Sequence, residues 1–201
     1  MQGGLVDAVA RAYRDPRGAM ARQLAGGANE PRALFHLMLA AALLFVASLP
    51  NAIRKARGLE VEDALSAAIA AHLFGYVFLL PLVAYAGAGL VHLLALGFGA
   101  RGGFVAARAA VFWSALLGAP IALVLALVGA GAEAATGRGQ LPWLDLMGYA
   151  GLGFWLWLFA ASLAEAEGFA ATARVALAVG LGFGAVATVL ALLAGRLSVA
   201  G

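Results

Sequence analysis

The sequence predicts an all-α fold: a polytopic helical membrane protein with five transmembrane helices behind a short amphipathic N-terminal segment. Three observations predict it. Of the 201 residues, 64% are hydrophobic and only 11% are charged, whereas a soluble domain is about a quarter charged. The apolar residues fall into five long runs, and a helix needs about 20 residues to cross a hydrocarbon core. The charged residues collect between those runs and in the segment 1–32. No space remains for a sizeable soluble domain. Cysteine is absent, which excludes disulfides, thiolate metal sites and cysteine nucleophiles.

Residues 1–32 form the polar, amphipathic tail. Leu5, Val9 and Tyr13 recur every fourth position, which is one face of a helix. Asp15-Pro16 reads as an N-cap followed by proline at the first helical position. Met20 and Leu24 give the next piece an apolar edge with Arg17 and Arg22 beside it, and Gly26-Gly27 ends it. Two short surface helices are expected, apolar faces toward the membrane and arginines toward lipid phosphates. The plainer alternative is a solvated tail. No cleavable signal peptide is expected, because the first apolar run begins only near residue 33. Gln2 stands where N-myristoylation requires glycine.

Residues 33–201 form the membrane domain, with spans at 33–50, 64–96, 104–129, 143–163 and 171–194. Pro31 opens the first span and Pro50-Asn51 closes it. The second is too long for one upright crossing, and Pro81 predicts a kink there by removing a backbone hydrogen bond. One bent helix and a re-entrant pair both remain compatible with that pattern. The connections ARGG (100–103), GAEAATGRGQLP (131–142) and AEAEGF (164–169) are short. They make successive helices antiparallel neighbours.

Lysine and arginine counts set the orientation. The side holding the N-terminus carries Arg11, Arg14, Arg17, Arg22, Arg32, Arg101, Arg108 and Arg174. The other side carries Arg54, Lys55, Arg57, Arg138 and Arg196, so the balance is eight against five. A cytoplasmic N-terminus is expected, although the cluster RKAR at 54–57 pulls the other way. The net charge of +3 reads as orientation rather than nucleic-acid binding.

The stretch WLWLFAASLAEAEGFA (155–170) carries the first candidate for chemistry. Glu165 and Glu167 are separated by about 200° on a helix, so they cannot share a proton or clamp one substrate. Gly168 is suited to terminate the helix there. The favoured reading is an interfacial turn, with the positive N-terminal end of the next helix receiving at least one carboxylate. A catalytic carboxylate and an ion or partner contact are the competing readings. GFGARG (97–102) spells a dinucleotide fingerprint, but a helix precedes it and no acidic residue lies twenty positions on. Its glycines suit a tight turn. Arg101 and Arg108, near the start of the third span, are candidate contacts for lipid headgroups.

The remaining candidates are structural. His36, His72 and His92 show no i, i+3 or i+4 pairing, so no helix presents a two-histidine metal face. His72 and His92 lie about 30 Å apart along a continuous helix. Asp145 follows Pro142 and Trp143 and belongs to the first turn of its helix, where a carboxylate is favoured. Trp143, Trp155 and Trp157 bracket the fourth span, and Trp113 lies in the third. Gly180 and Gly184 form a GxxxG pair, and Ala71 and Gly75 share its spacing. These are candidate helix-packing faces, read as packing within the monomer rather than a dimer seam. No Ser-His-Asp pattern, HExxH or Walker loop occurs. No catalytic, cofactor or metal site is expected.

YRDPRGAMARQL (13–24), GFGARGGFVAARAAVFWSAL (97–116) and WLWLFAASLAEAEGFA (155–170) together resemble the bacterial branch of the Yip-domain family, the Ypt/Rab-GTPase-interacting membrane proteins. The layout is also similar, with a short polar tail, five hydrophobic segments, a Gly-rich turn before the third and an acid-Gly turn before the fifth. The resemblance runs from about Ala12 to Leu193. It implies a five-span helical protein with a cytosolic N-terminus. Eukaryotic members act in vesicle trafficking and bind prenylated GTPases. Their Asp-Leu-Tyr-Gly-Pro motif has no counterpart in this chain, so that role is not carried over. Richness in alanine, glycine and arginine with a single lysine fits a GC-rich bacterial genome; with the resemblance, a bacterial inner membrane is the expected location.

The function expected is non-enzymatic: organising a membrane or binding a partner. The near absence of deep ionisable groups and the several small-residue faces motivate it. Membrane lipid is the expected partner, with another membrane protein as a second candidate. Nucleic acid and a small-molecule substrate are not expected. The alternative is a small transporter or a transporter accessory subunit, using the Pro81 kink and a cavity lined by His72, Tyr76, Tyr85 and Ser114. An enzyme would need a cavity that brings Glu165, Asp145 and a histidine together.

Overall fold

The computed structural model describes residues 4–27, 29–58, 63–137 and 141–199, with side chains as far as Leu193. The described residues form eight α-helices and no strand. An N-terminal hairpin of α1 (Leu5–Ala12) and α2 (Pro16–Ala25) precedes α3 (Glu30–Arg57). Helices α4 (Ala64–Phe74) and α5 (Leu80–Gly97) are joined by a π-helical turn, Gly75–Leu79. Then follow α6 (Phe104–Thr136), α7 (Pro142–Ala166) and α8 (Thr172–Val199). Five of these rods are long and apolar enough to cross a membrane, α4 and α5 counting as one. The chain is a multi-pass membrane protein.

Local chemistry sets the boundaries. Asp15 caps α2, its Oδ1 accepting from Gly18 N at 2.9 Å, with Pro16 at the first position. Gly27 then adopts φ +79° and ends the hairpin. Asn29 caps α3 by accepting from Arg32 N at 3.0 Å. The expected closure of the first span at Pro50-Asn51 is corrected: α3 continues through Pro50 to Arg57. A proline costs one hydrogen bond, which a helix inside a membrane protein tolerates where neighbours restrain it. Arg54, Lys55 and Arg57 in the last turn then face the negative end of the helix dipole. Helix α6 similarly outruns its expected end, stopping at Gly137 with φ +66°.

The second span is a single rod with a wide turn. The Leu80 N–H reaches back five residues to Gly75 O, just before Pro81, which has no N–H to donate. The deformation predicted at Pro81 is therefore taken up mainly by the turn preceding it.

Helix α6 is the centre of the bundle, packed against α3, α5 and α7, while α8 stands at the edge with α7 as its main neighbour. The contacts are made largely by alanines, among them Ala40, Ala110, Ala119 and Ala160, all buried. Small side chains let helix backbones approach where lipid offers no hydrophobic drive to associate. Phe112 and Trp113 fill the space between them. Leucines along α5 and α8, and Phe183 of α8, point outward, as they do when the solvent is hydrocarbon. The small-residue faces on these two rods do not pack within the chain: a Cβ added at Gly75, Gly180 or Gly184 would meet nothing within 4 Å, and Ala71 is exposed. The expectation of packing within the monomer at those positions is corrected.

Candidate functional site

A polar cluster lies at the N-terminal end of the bundle, where the hairpin, the α5–α6 loop and the α7–α8 turn converge. Its floor is the stretch Glu165 to Gly168. Gly168 takes φ +73°, a conformation that suits glycine, and closes α7. Phe169 N returns to Ala164 O at 2.8 Å and Gly168 N to Glu165 O at 3.3 Å, so the last carbonyls of α7 are covered.

The two carboxylates leave this turn in different directions, as their 200° offset requires. Glu165 meets Arg17 of α2, Oε2 to Nε at 3.0 Å. The same guanidinium donates to Phe169 O and Ala170 O, each at 2.9 Å, and to Thr172 Oγ1 at 3.3 Å. Arg17 therefore ties α2 to the end of α7 and the start of α8. This corrects one part of the expected tail, because Arg17 faces protein rather than lipid phosphate. The hairpin as a whole is docked on protein. Ala12, Ala19 and Met20 are buried, and Tyr13 donates its hydroxyl to Leu117 O at 2.8 Å. Burial pushes the Tyr13 hydroxyl above the usual tyrosine value of 10.0.

Glu167 is fully buried. Its Oε1 lies 2.7 Å from His92 Nδ1 of α5, and its Oε2 has no hydrogen-bond partner among the described residues. Its backbone carbonyl accepts from Arg101 N at 2.9 Å. Gly102 sits against this turn so closely that an added Cβ would collide with Ala166 O and Glu167 Cα. The glycine of the false dinucleotide motif thus permits close backbone approach, while Gly99 at φ +83° makes the turn itself. Glu167 is thus an ionisable group buried in protein at the interfacial end of α7. Sequence reasoning placed it correctly in the turn, but the receiving groups are Arg17 and His92 rather than a bare helix end.

Next to this pair, Arg108 Nη1 meets Glu30 Oε2 at 2.8 Å, and the Tyr85 hydroxyl also donates to Glu30. The Arg108 guanidinium lies over the Phe104 ring, 4.6 Å from its centroid, and its side chain is only 18% exposed. Of the two arginines singled out for headgroups, Arg108 is thus engaged inside the protein and Arg101 is exposed. His36 is buried beside Trp113, ring centroids 5.0 Å apart. Asp145 lies in the first turn of α7, at the other end from Glu165. Glu165, Asp145 and a histidine are therefore not brought together. No group of three His, Asp or Glu suited to a metal occurs among the described residues. Ser114 is turned to Val111 O and Tyr85 to Glu30, while His72 and Tyr76 line an open groove on the flank of the second span.

No family model, no curated protein and no solved structure matches this chain.

Proposed function

We propose that the chain is a non-enzymatic membrane-organising protein of the Yip type, in a bacterial inner membrane with its N-terminus in the cytoplasm, and that it engages anionic lipid through that side. One observation carries the reading. Of the five acidic residues on the N-terminal side, three pair with arginine, Asp15 with Arg22, Glu30 with Arg108 and Glu165 with Arg17, and Glu167 is buried against His92. Arg11, Arg14, Arg32, Arg101 and Arg174 are exposed and have no ion-pair partner among the described residues. Among the described residues of that side, Asp7 is the one exposed acid without an ion-pair partner. Internal pairing thereby leaves a basic rim at the level of the headgroups, and each such arginine contributes about 1 kcal/mol of attraction to an anionic leaflet.

The test is lipid enrichment around the protein in nanodiscs of phosphatidylcholine and phosphatidylglycerol. Phosphatidylglycerol should be enriched severalfold, and the triple variant Arg14→Gln, Arg101→Gln, Arg174→Gln should lose most of that enrichment. Unchanged enrichment in the triple variant removes the rim from the proposal. A stoichiometric membrane protein that co-purifies with wild type would make partner binding the organising activity.

The second reading, a small transporter or accessory subunit, draws on the groove at His72 and Tyr76. His72 and Tyr76, two of the four residues named for it, lie along this one open groove. A substrate-dependent thermal shift would support it.

A further inference from the structure

We infer that the concave flank where α4 passes into α5 is a binding site for a neutral lipid that carries a free hydroxyl group. The groove has a volume of about 440 Å³ and opens to the side of the bundle. Ala71 and Gly75 form its smooth floor, and Leu79 and Val83 extend it along the rod. Between Asp63 and Arg101 the chain has no Lys, Arg, Asp or Glu, so a charged headgroup finds no counter-charge there. The body of the ligand must be apolar.

The polar groups in the groove specify the rest. His72 Nδ1 lies 2.8 Å from Ala68 O. A carbonyl only accepts, so Nδ1 carries the hydrogen and Nε2 of the neutral ring is an acceptor. Tyr76 lies four residues on, one helical turn away on the same face. Its ring rests near Phe45, centroids 6.5 Å apart, and its hydroxyl has no hydrogen-bond partner among the described residues. The backbone beside these groups departs from α-helical pairing. Leu80 N bonds to Gly75 O rather than to Tyr76 O, and Pro81 has no hydrogen to give Val77 O. Two successive carbonyls thus lack their usual helical donors. They lie about 18 Å along a rod about 50 Å long.

A hydroxyl is both donor and acceptor. It can donate to His72 Nε2 while accepting from the Tyr76 hydroxyl. A ketone or ester finds only the tyrosine donor. The geometry therefore selects a lipid alcohol, with the chemistry of a diacylglycerol or a long-chain isoprenoid alcohol. This site is independent of the basic rim at the N-terminal end.

The test uses the full chain in phosphatidylcholine nanodiscs with a diazirine-bearing dioleoylglycerol, and maps the labelled peptide. Labelling should concentrate on residues 71–83. Unlabelled dioleoylglycerol should compete about three- to tenfold better than its methyl ether, the factor that one hydrogen bond supplies. His72→Phe and Tyr76→Phe should each erode that preference. Gly75→Leu should abolish labelling without lowering Tm, since a Cβ there meets nothing within 4 Å. Labelling spread evenly over the five spans, or equal competition by the ether, overturns the inference. Both readouts on the wild-type protein stand whether or not a variant folds.

Discussion

Arg17 and Glu165 are 148 residues apart in sequence and 3.0 Å apart in space. Through this pair the N-terminal hairpin becomes part of the membrane bundle. Because Arg17 also donates to two carbonyls at the α7–α8 turn, its loss frees more than one charge. The pair is about a third exposed, so water compensates in part. Arg17→Gln should cost about 1–2 kcal/mol and raise amide exchange across residues 5–25. Glu165→Gln should do less, since it leaves the carbonyl contacts intact. Unchanged exchange in Arg17→Gln would show that apolar contacts alone hold the hairpin.

Glu167 and His92 make a different kind of pair, because neither has ready access to water. Removing one partner strands the other in a low-dielectric setting. Glu167→Ala should lower stability by about 1–3 kcal/mol, more than Glu165→Ala. Glu167→Gln keeps a hydrogen-bonding group and should be milder. Chemical denaturation in mixed micelles ranks the three. Equal losses for Glu165→Ala and Glu167→Ala would contradict the burial of Glu167.

Two neighbouring glycines separate close approach from turn flexibility. A Cβ at Gly102 collides with the α7 backbone, whereas one at Gly103 meets nothing within 4 Å. Gly102→Ala should destabilise by about 1–3 kcal/mol, and Gly103→Ala should be near neutral. Thermal unfolding in detergent decides it. A neutral Gly102→Ala would mean that the α5–α6 loop does not rest on α7.

Tyr13 supplies a pH dependence with a defined sign. Its folded value lies above 10.0 because burial disfavours the phenolate. Stability from the docked hairpin is therefore complete below the unfolded value and is lost as pH rises through the folded one. Tyr13→Phe loses the bond to Leu117 O, about 1 kcal/mol, and should flatten the alkaline decline. Hairpin exchange measured from pH 8 to 11 checks this. An identical alkaline decline in Tyr13→Phe would place its cause elsewhere.

Much of the architecture follows from local rules. Hydropathy marks five crossings because every backbone polar group in hydrocarbon must be satisfied within its own helix. The caps Asp15 and Asn29 and the glycine at 168 act within a few residues, so they are legible in the string itself. So is the divergence of Glu165 and Glu167, which is a consequence of helix pitch. Tertiary structure decided what those carboxylates meet. Arg17 and His92 lie 148 and 75 residues away, and no periodicity carries information over that range. It also decided that Arg108 turns inward to Glu30 while Arg101 stays out, although both sit near one helix start. The edge position of α8 left Gly180 and Gly184 uncovered, because a small-residue spacing specifies a smooth face but not which helix approaches it. The π turn before Pro81 belongs to both accounts. The proline announces a lost donor, and only the folded rod shows that Leu80 gave up Tyr76 O to accommodate it.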